Sequence, residues 1–133
     1  MKKIFFVTTP MENDGDFKFC EVLEKNEEFL VAHPAFDFKS AYGKLWIEST
    51  EQQEVDFETL SYYQQDRLLV IKSDVILFDL DTKVSLYPYA VLAHESGKPI
   101  YGVSHYLSGP LPYYAELFKA ILPKNLDEIR KFI

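Results

Sequence analysis

The run Val75-Ile76-Leu77-Phe78-Asp79-Leu80 constrains this chain more than any other stretch. Successive residues of a strand point to opposite faces, so an apolar run without alternation needs cover on both sides. A strand of that kind belongs to the interior of a parallel sheet, with helices packed above and below it. The run closes on Asp79, and Asp81 follows two residues later.

The neighbouring segments fit that requirement. Ile4–Thr8 is a short β-branched and aromatic run that Thr8-Thr9-Pro10 terminates. The opening MKKIFFVTT has too short an apolar run for a leader peptide and reads as this first strand. Phe19, Val22 and Leu23 fall at helical spacing, with Asp14 or Asp16 placed to cap that helix. Phe29–His33 reads as a second strand stopped by Pro34. Residues 35–54 carry no clear period; Lys44–Ile47 is a candidate short strand. Val55–Lys72 reads as one long helix, with Phe57, Leu60, Leu68 and Ile71 on one side and Tyr62, Asp66 and Leu69 on another.

Leu86–Ser96 reads as a helix ended by Gly97, and Ile100–Val103 as the next strand. After a Gly109-Pro110 turn, Tyr113–Leu122 reads as helix. Asn125–Ile133 reads as a last helix, with Asn125 as N-cap and Glu128 three residues on. Strands alternating with helices predict an α/β fold: a three-layer sandwich on a mostly parallel sheet, flavodoxin- or Rossmann-like. Its length, 133 residues, predicts a single domain spanning 1–133. Ligands of such sheets sit beyond the carboxyl ends of the strands. Thr8-Thr9-Pro10, Asp79-Leu80-Asp81 and Ser104-His105-Tyr106 are expected there.

Composition narrows the partners. A net charge of -7 disfavours nucleic acid and anionic membrane surfaces, which both need a basic face. No apolar stretch approaches the roughly 20 residues of a membrane span. The lone Cys20 has no internal disulfide partner, and a cytoplasmic location is expected. His33, His94 and His105 are scattered without metal-ligand spacing. The five glycines stand singly, so no Gly-rich phosphate loop exists, and no metal or cofactor is implied. A nucleophile elbow is absent too. The Tyr87, Tyr89, Tyr101, Tyr106, Tyr113 and Tyr114 group reads as packing rather than as a base-stacking platform.

Asp79 and Asp81 invite comparison with two phosphoryl-transfer patterns. Haloacid dehalogenase-like phosphatases carry Asp-x-Asp-x-Thr after the first strand, whereas here Lys83 stands at the threonine position. Response-regulator receivers need an acidic pair after strand 1 and a lysine after a late strand. Here strand 1 runs into Thr8-Thr9, and no lysine follows Val103 directly. Without either pattern, the two aspartates are equally readable as solvated strand-end carboxylates.

The block Tyr63-Gln64-Gln65-Asp66-Arg67-Leu68-Leu69-Val70-Ile71-Lys72-Ser73-Asp74-Val75 resembles a motif of the nucleoside 2-deoxyribosyltransferase family. Tyr89-Ala90-Val91-Leu92-Ala93-His94-Glu95-Ser96-Gly97-Lys98 is similar to that family's next helix, and Lys2–Phe6 to its first strand. About half of the chain is covered. The resemblance implies a nucleoside or nucleotide ligand, a homo-oligomer, and a role for Asp66 in handling the proton of a leaving base. A carboxyl on a covered helix face has a raised pKa, which suits a general acid. Paired with Arg67 or Lys72, the same residue is structural.

Tyr89 stands where the family has its nucleophilic glutamate. Glu95 lies about 9 Å further along the helix at 1.5 Å per residue, so it does not substitute directly. Asp79 or Asp81 is then the candidate nucleophile or stabiliser. Phe5, Thr8, Thr9 and Tyr89 are the expected substrate-binding positions. Three readings follow: a divergent transferase or N-glycosidase using Asp66, Asp79 and Asp81, a nucleoside- or nucleotide-binding module without chemistry, and a partner-binding protein with an aromatic surface.

Overall fold

A computed structural model describes residues 2–8, 19, 22–23, 25–26, 28–33, 61–81, 86–106 and 111–133. Its strands are β1 (Lys2–Val7), β2 (Phe29–Ala32), β3 (Val75–Asp79), β4 (Ile100–Ser104) and β5 (Ala120–Pro123). Its helices are α1 (Tyr62–Lys72), α2 (Tyr87–Glu95) and α3 (Leu126–Phe132), with a 3-10 turn at Tyr113–Leu117. The strands form one all-parallel sheet in the order β2-β1-β3-β4-β5. This is the flavodoxin-like order, whose chain reversal lies between β1 and β3.

The two sheet faces are built from alternate residues. Phe5, Val7, Ile76 and Phe78 pack with Leu69 and Val70 of α1 and Ala90 and Ala93 of α2. Ile4, Phe6, Val75 and Leu77 pack with Phe19, Leu23 and Ile129 on the other side. All five residues of β3 are buried, as a strand covered on both faces requires. The result is a three-layer α/β sandwich.

Local chemistry sets the element ends. At α1, Ser61 Oγ accepts from the Gln64 N–H at 3.2 Å, while Gln64 Oε1 accepts from the Ser61 N–H at 3.0 Å. This reciprocal capping box starts the helix at Tyr62. The continuous helix expected from Val55 is therefore corrected, because Ser61 is extended, with ψ 160. Of the two sides expected to be covered, one holds the buried Leu69; on the other, Leu68 packs partly buried against the core while Ile71 is 46% exposed. Gly97, with φ 68, takes the left-handed position that ends α2. Asn125 Oδ1 accepts from the Asp127 N–H at 2.8 Å and caps α3.

One element was misread. Tyr113–Leu122, expected as helix, is a 3-10 turn followed by β5. The apolar run Ala120-Ile121-Leu122 is too short to separate periods of 2 and 3.6, and its register against β4 decides the matter. Thr9, Asp14, Asp16, Cys20, Pro34, the 35–54 stretch, residues 55–60, Lys83 and the Gly109-Pro110 turn lie outside the described residues. Among the described residues, no helix is long and apolar enough to cross a membrane.

Candidate functional site

The carboxyl ends of β1, β3, β4 and β5 meet in a polar cluster. Asp79 closes β3 and Thr8 follows β1. Because Phe78 and Val7 point to the α1–α2 face, their successors turn to the face that holds Phe19. Thr8 Oγ1 donates to Asp79 Oδ2 at 2.6 Å, and both residues are wholly buried. The other oxygen, Asp79 Oδ1, accepts from the Asp81 N–H at 3.0 Å and from Lys124 Nζ at 3.0 Å.

Lys124 follows β5 and has no exposed side-chain surface. Its ammonium also reaches Asp81 Oδ2 at 3.3 Å and lies 5.6 Å from the centroid of the Phe19 ring. Asp81 Oδ1 accepts from Ser104 Oγ at 2.6 Å, and Oδ2 accepts from the His105 N–H at 2.9 Å. Burial by itself raises the Asp81 pKa. The Ser104 hydroxyl, the His105 N–H and Lys124 outweigh that cost and hold it below the ordinary carboxylate value. Asp79 and Asp81 are thus charge-paired and multiply hydrogen-bonded, rather than the solvated strand-end groups the sequence also allowed.

A second constellation lies on the other face. Asp66 stands one helical turn before Leu69 and Val70 on the packed side of α1, and is 6% exposed. The half-buried Tyr89, in the first turn of α2, donates its phenol hydrogen to Asp66 Oδ2 at 3.1 Å. Its ring centre lies 6.2 Å from that of Phe5 in β1. The expected site residues therefore form two groups: Phe5, Tyr89 and Asp66 on one face, and Thr8, Asp79 and Asp81 at the strand ends toward the other. Glu95 lies apart from both. It lines an open surface groove of about 440 Å³ with Tyr63, Arg67, Ile71, Leu92, Ser96 and Lys98.

Asp74, the second aspartate of the transferase-like block, binds the start of the sheet: its Oδ2 accepts from the Lys3 N–H at 2.8 Å. The tyrosines divide. Tyr114 is buried and its hydroxyl accepts from the Leu86 N–H at 3.3 Å, while Tyr87, Tyr106 and Tyr113 are exposed. Desolvation and the neighbouring Tyr87 hydroxyl raise the Tyr113 pKa.

Lys124 was missed by the sequence reading. Once Ala120–Pro123 is a strand, a lysine does follow a late strand, as in response-regulator receivers. The acidic pair of that pattern is still missing, because Thr8 follows β1. His33 follows β2 with 1% exposure, and its Nδ1 lies 3.2 Å from the Phe6 carbonyl oxygen.

No protein-family model matches this chain, and no curated protein does. Among solved structures, the chain is similar to a conserved protein from Enterococcus faecalis V583. The TM-score is 0.67 at 14% identity, covering 100% of this chain and 99% of that one. At that identity the likeness is one of fold alone.

Proposed function

We propose that this protein binds a nucleoside or nucleotide at the carboxyl edge of its sheet without exchanging the base, as a non-catalytic relative of the nucleoside 2-deoxyribosyltransferases. The observation that carries this reading is the engagement of both strand-end carboxylates by Lys124. Retaining transfer through Asp79 or Asp81 needs that carboxylate free to attack the anomeric carbon. A carboxylate held by a buried ammonium and hydroxyl donors has its charge already stabilised, and attack forfeits those bonds. Tyr89 fills the position that the resemblance gives to the nucleophilic glutamate.

One observation favours a second reading, in which the chain is a transferase or N-glycosidase. The Tyr89 phenol donates to Asp66 at 3.1 Å, so a general base stands beside a hydroxyl nucleophile. The two readings separate in one experiment. Deoxynucleosides and deoxynucleoside monophosphates are titrated calorimetrically into wild type. Base exchange is then followed in wild type and in Tyr89→Glu with a second free base present. Binding with a silent wild type supports the first reading, and a gain of exchange in Tyr89→Glu strengthens it. Exchange by wild type that is lost in Tyr89→Phe establishes the second. Absence of both binding and exchange rejects both and leaves the aromatic surface as the functional feature.

A further inference from the structure

We propose that Ser104 Oγ, the His105 N–H and Lys124 Nζ form an oxyanion site for the phosphate of a nucleotide, and that Asp81 occupies it as an internal stand-in. The identity of the ligand rests on the nucleotide-binding reading above; the oxyanion site itself rests on geometry.

Three donors from the ends of β4 and β5 converge on the two oxygens of one side chain. Oδ1 receives Ser104 Oγ at 2.6 Å, and Oδ2 receives the His105 N–H at 2.9 Å and Lys124 Nζ at 3.3 Å. A backbone N–H and an ammonium have no acceptor capacity, so the site takes an acceptor, and Lys124 makes it an anion. None of these donors comes from the turn that carries Asp81. The cradle is therefore built by other elements, and Asp81 fills it from outside.

The two carboxylates on Lys124 differ in a way that matters. Asp79 is the last residue of β3, with its side chain fully covered, whereas the Asp81 side chain lies beyond the strand and keeps 9% exposure. Asp81 can be exchanged for an incoming oxyanion without disturbing the sheet. A phosphate monoanion in its place leaves Lys124 between two anions, as it is now. The cradle also stands at the carboxyl edge of the sheet, where ligands of this architecture bind. A tethered carboxylate competes at an effective concentration in roughly the millimolar range or above, so wild type takes phosphate weakly. Binding then couples to displacement of the Asp81 turn.

The test is calorimetric titration of inorganic phosphate, a deoxynucleoside and its 5′-monophosphate into wild type, Asp81→Ala and Asp81→Ala/Lys124→Met. Circular dichroism verifies the fold of each. Asp81→Ala is expected to bind phosphate and the monophosphate about tenfold or more tightly than wild type, because the phosphate no longer has to break the charge-assisted bonds that Asp81 holds. The added Lys124→Met is expected to remove the gain, and the deoxynucleoside to show none. No gain in a folded Asp81→Ala overturns the oxyanion site. A gain for inorganic phosphate without any for the monophosphate overturns its assignment to a nucleotide, while failure of the deoxynucleoside alone to bind bears only on the function proposed above. Should either variant not fold, phosphate is titrated into wild type with the Ser104 and His105 amide resonances observed. Saturable shifts there support the site, and their absence up to roughly 100 mM, well beyond that tethered competition, overturns it.

Discussion

The ammonium of Lys124 stands 3.0 Å from Oδ1 of Asp79, and neither side chain exposes any surface. The pair joins the end of β5 to the end of β3 across β4. A buried ion pair costs desolvation at both partners, and removing one partner strands the other. Lys124 is shared by two carboxylates, Asp79 and Asp81. Lys124→Met is therefore expected to lower stability by about 3–5 kcal/mol, measured by urea unfolding at neutral pH. Adding Asp81→Asn should recover part of that loss. If Lys124→Met is neutral, the strand-end cluster is not an organising feature of the fold.

Asp81 adds an acid dependence. Its folded pKa lies below the unfolded value of about 4, so the unfolded chain takes up the proton first. The stability it contributes is fully present above that unfolded value and is lost as pH falls through the folded pKa. Asp81→Asn should therefore be less stable than wild type at pH 6. The difference should shrink as the pH is lowered below 4. A difference unchanged from pH 6 to pH 2 contradicts this account.

Tyr89 and Asp66 are coupled across α1 and α2. Tyr89→Phe keeps the ring beside Phe5 and removes only the hydroxyl. A loss of about 1–3 kcal/mol is expected, because the Asp66 carboxylate loses a donor in a place that water barely reaches. A double-mutant cycle with Asp66→Ala should return a coupling energy of at least about 0.5 kcal/mol. A coupling near zero means the two groups contribute independently.

Gly102 sits inside β4, where a Cβ would come 2.7 Å from Leu80 Cδ1 and 3.1 Å from two ring carbons of Phe118. The Leu80 methyl is the end of a flexible side chain, but the Phe118 ring is stacked on Phe78 at 5.4 Å. Gly102→Ala is expected to cost about 1–3 kcal/mol in thermal or urea unfolding, as overpacking does. Gly102→Val should cost more.

Ser61→Ala tests the start of α1. It removes the side-chain acceptor of the Gln64 N–H and half of a reciprocal cap, at an expected cost of about 1 kcal/mol. Ser61→Asp should be nearly neutral.

The parallel sheet was legible because β3 carries its burial in its own letters: four consecutive apolar residues ahead of Asp79 leave no polar face, as a strand covered on both sides requires. The helix ends were legible for a related reason. Asn125 and Gly97 act on neighbours within a few residues, and the Ser61-x-x-Gln64 spacing was there to be read, although a longer apolar period concealed it. Strand β5 was not legible, since a four-residue run acquires its period only from pairing with β4. Lys124 disappeared with it. The strand-end cluster joins Thr8, Asp79, Ser104 and Lys124, contributed by four strand ends far apart in the chain. Local pattern reports which residues an element turns inward. Which charges then meet is decided by strand order and register, because parallel pairing aligns the ends of segments that sequence spacing leaves unrelated.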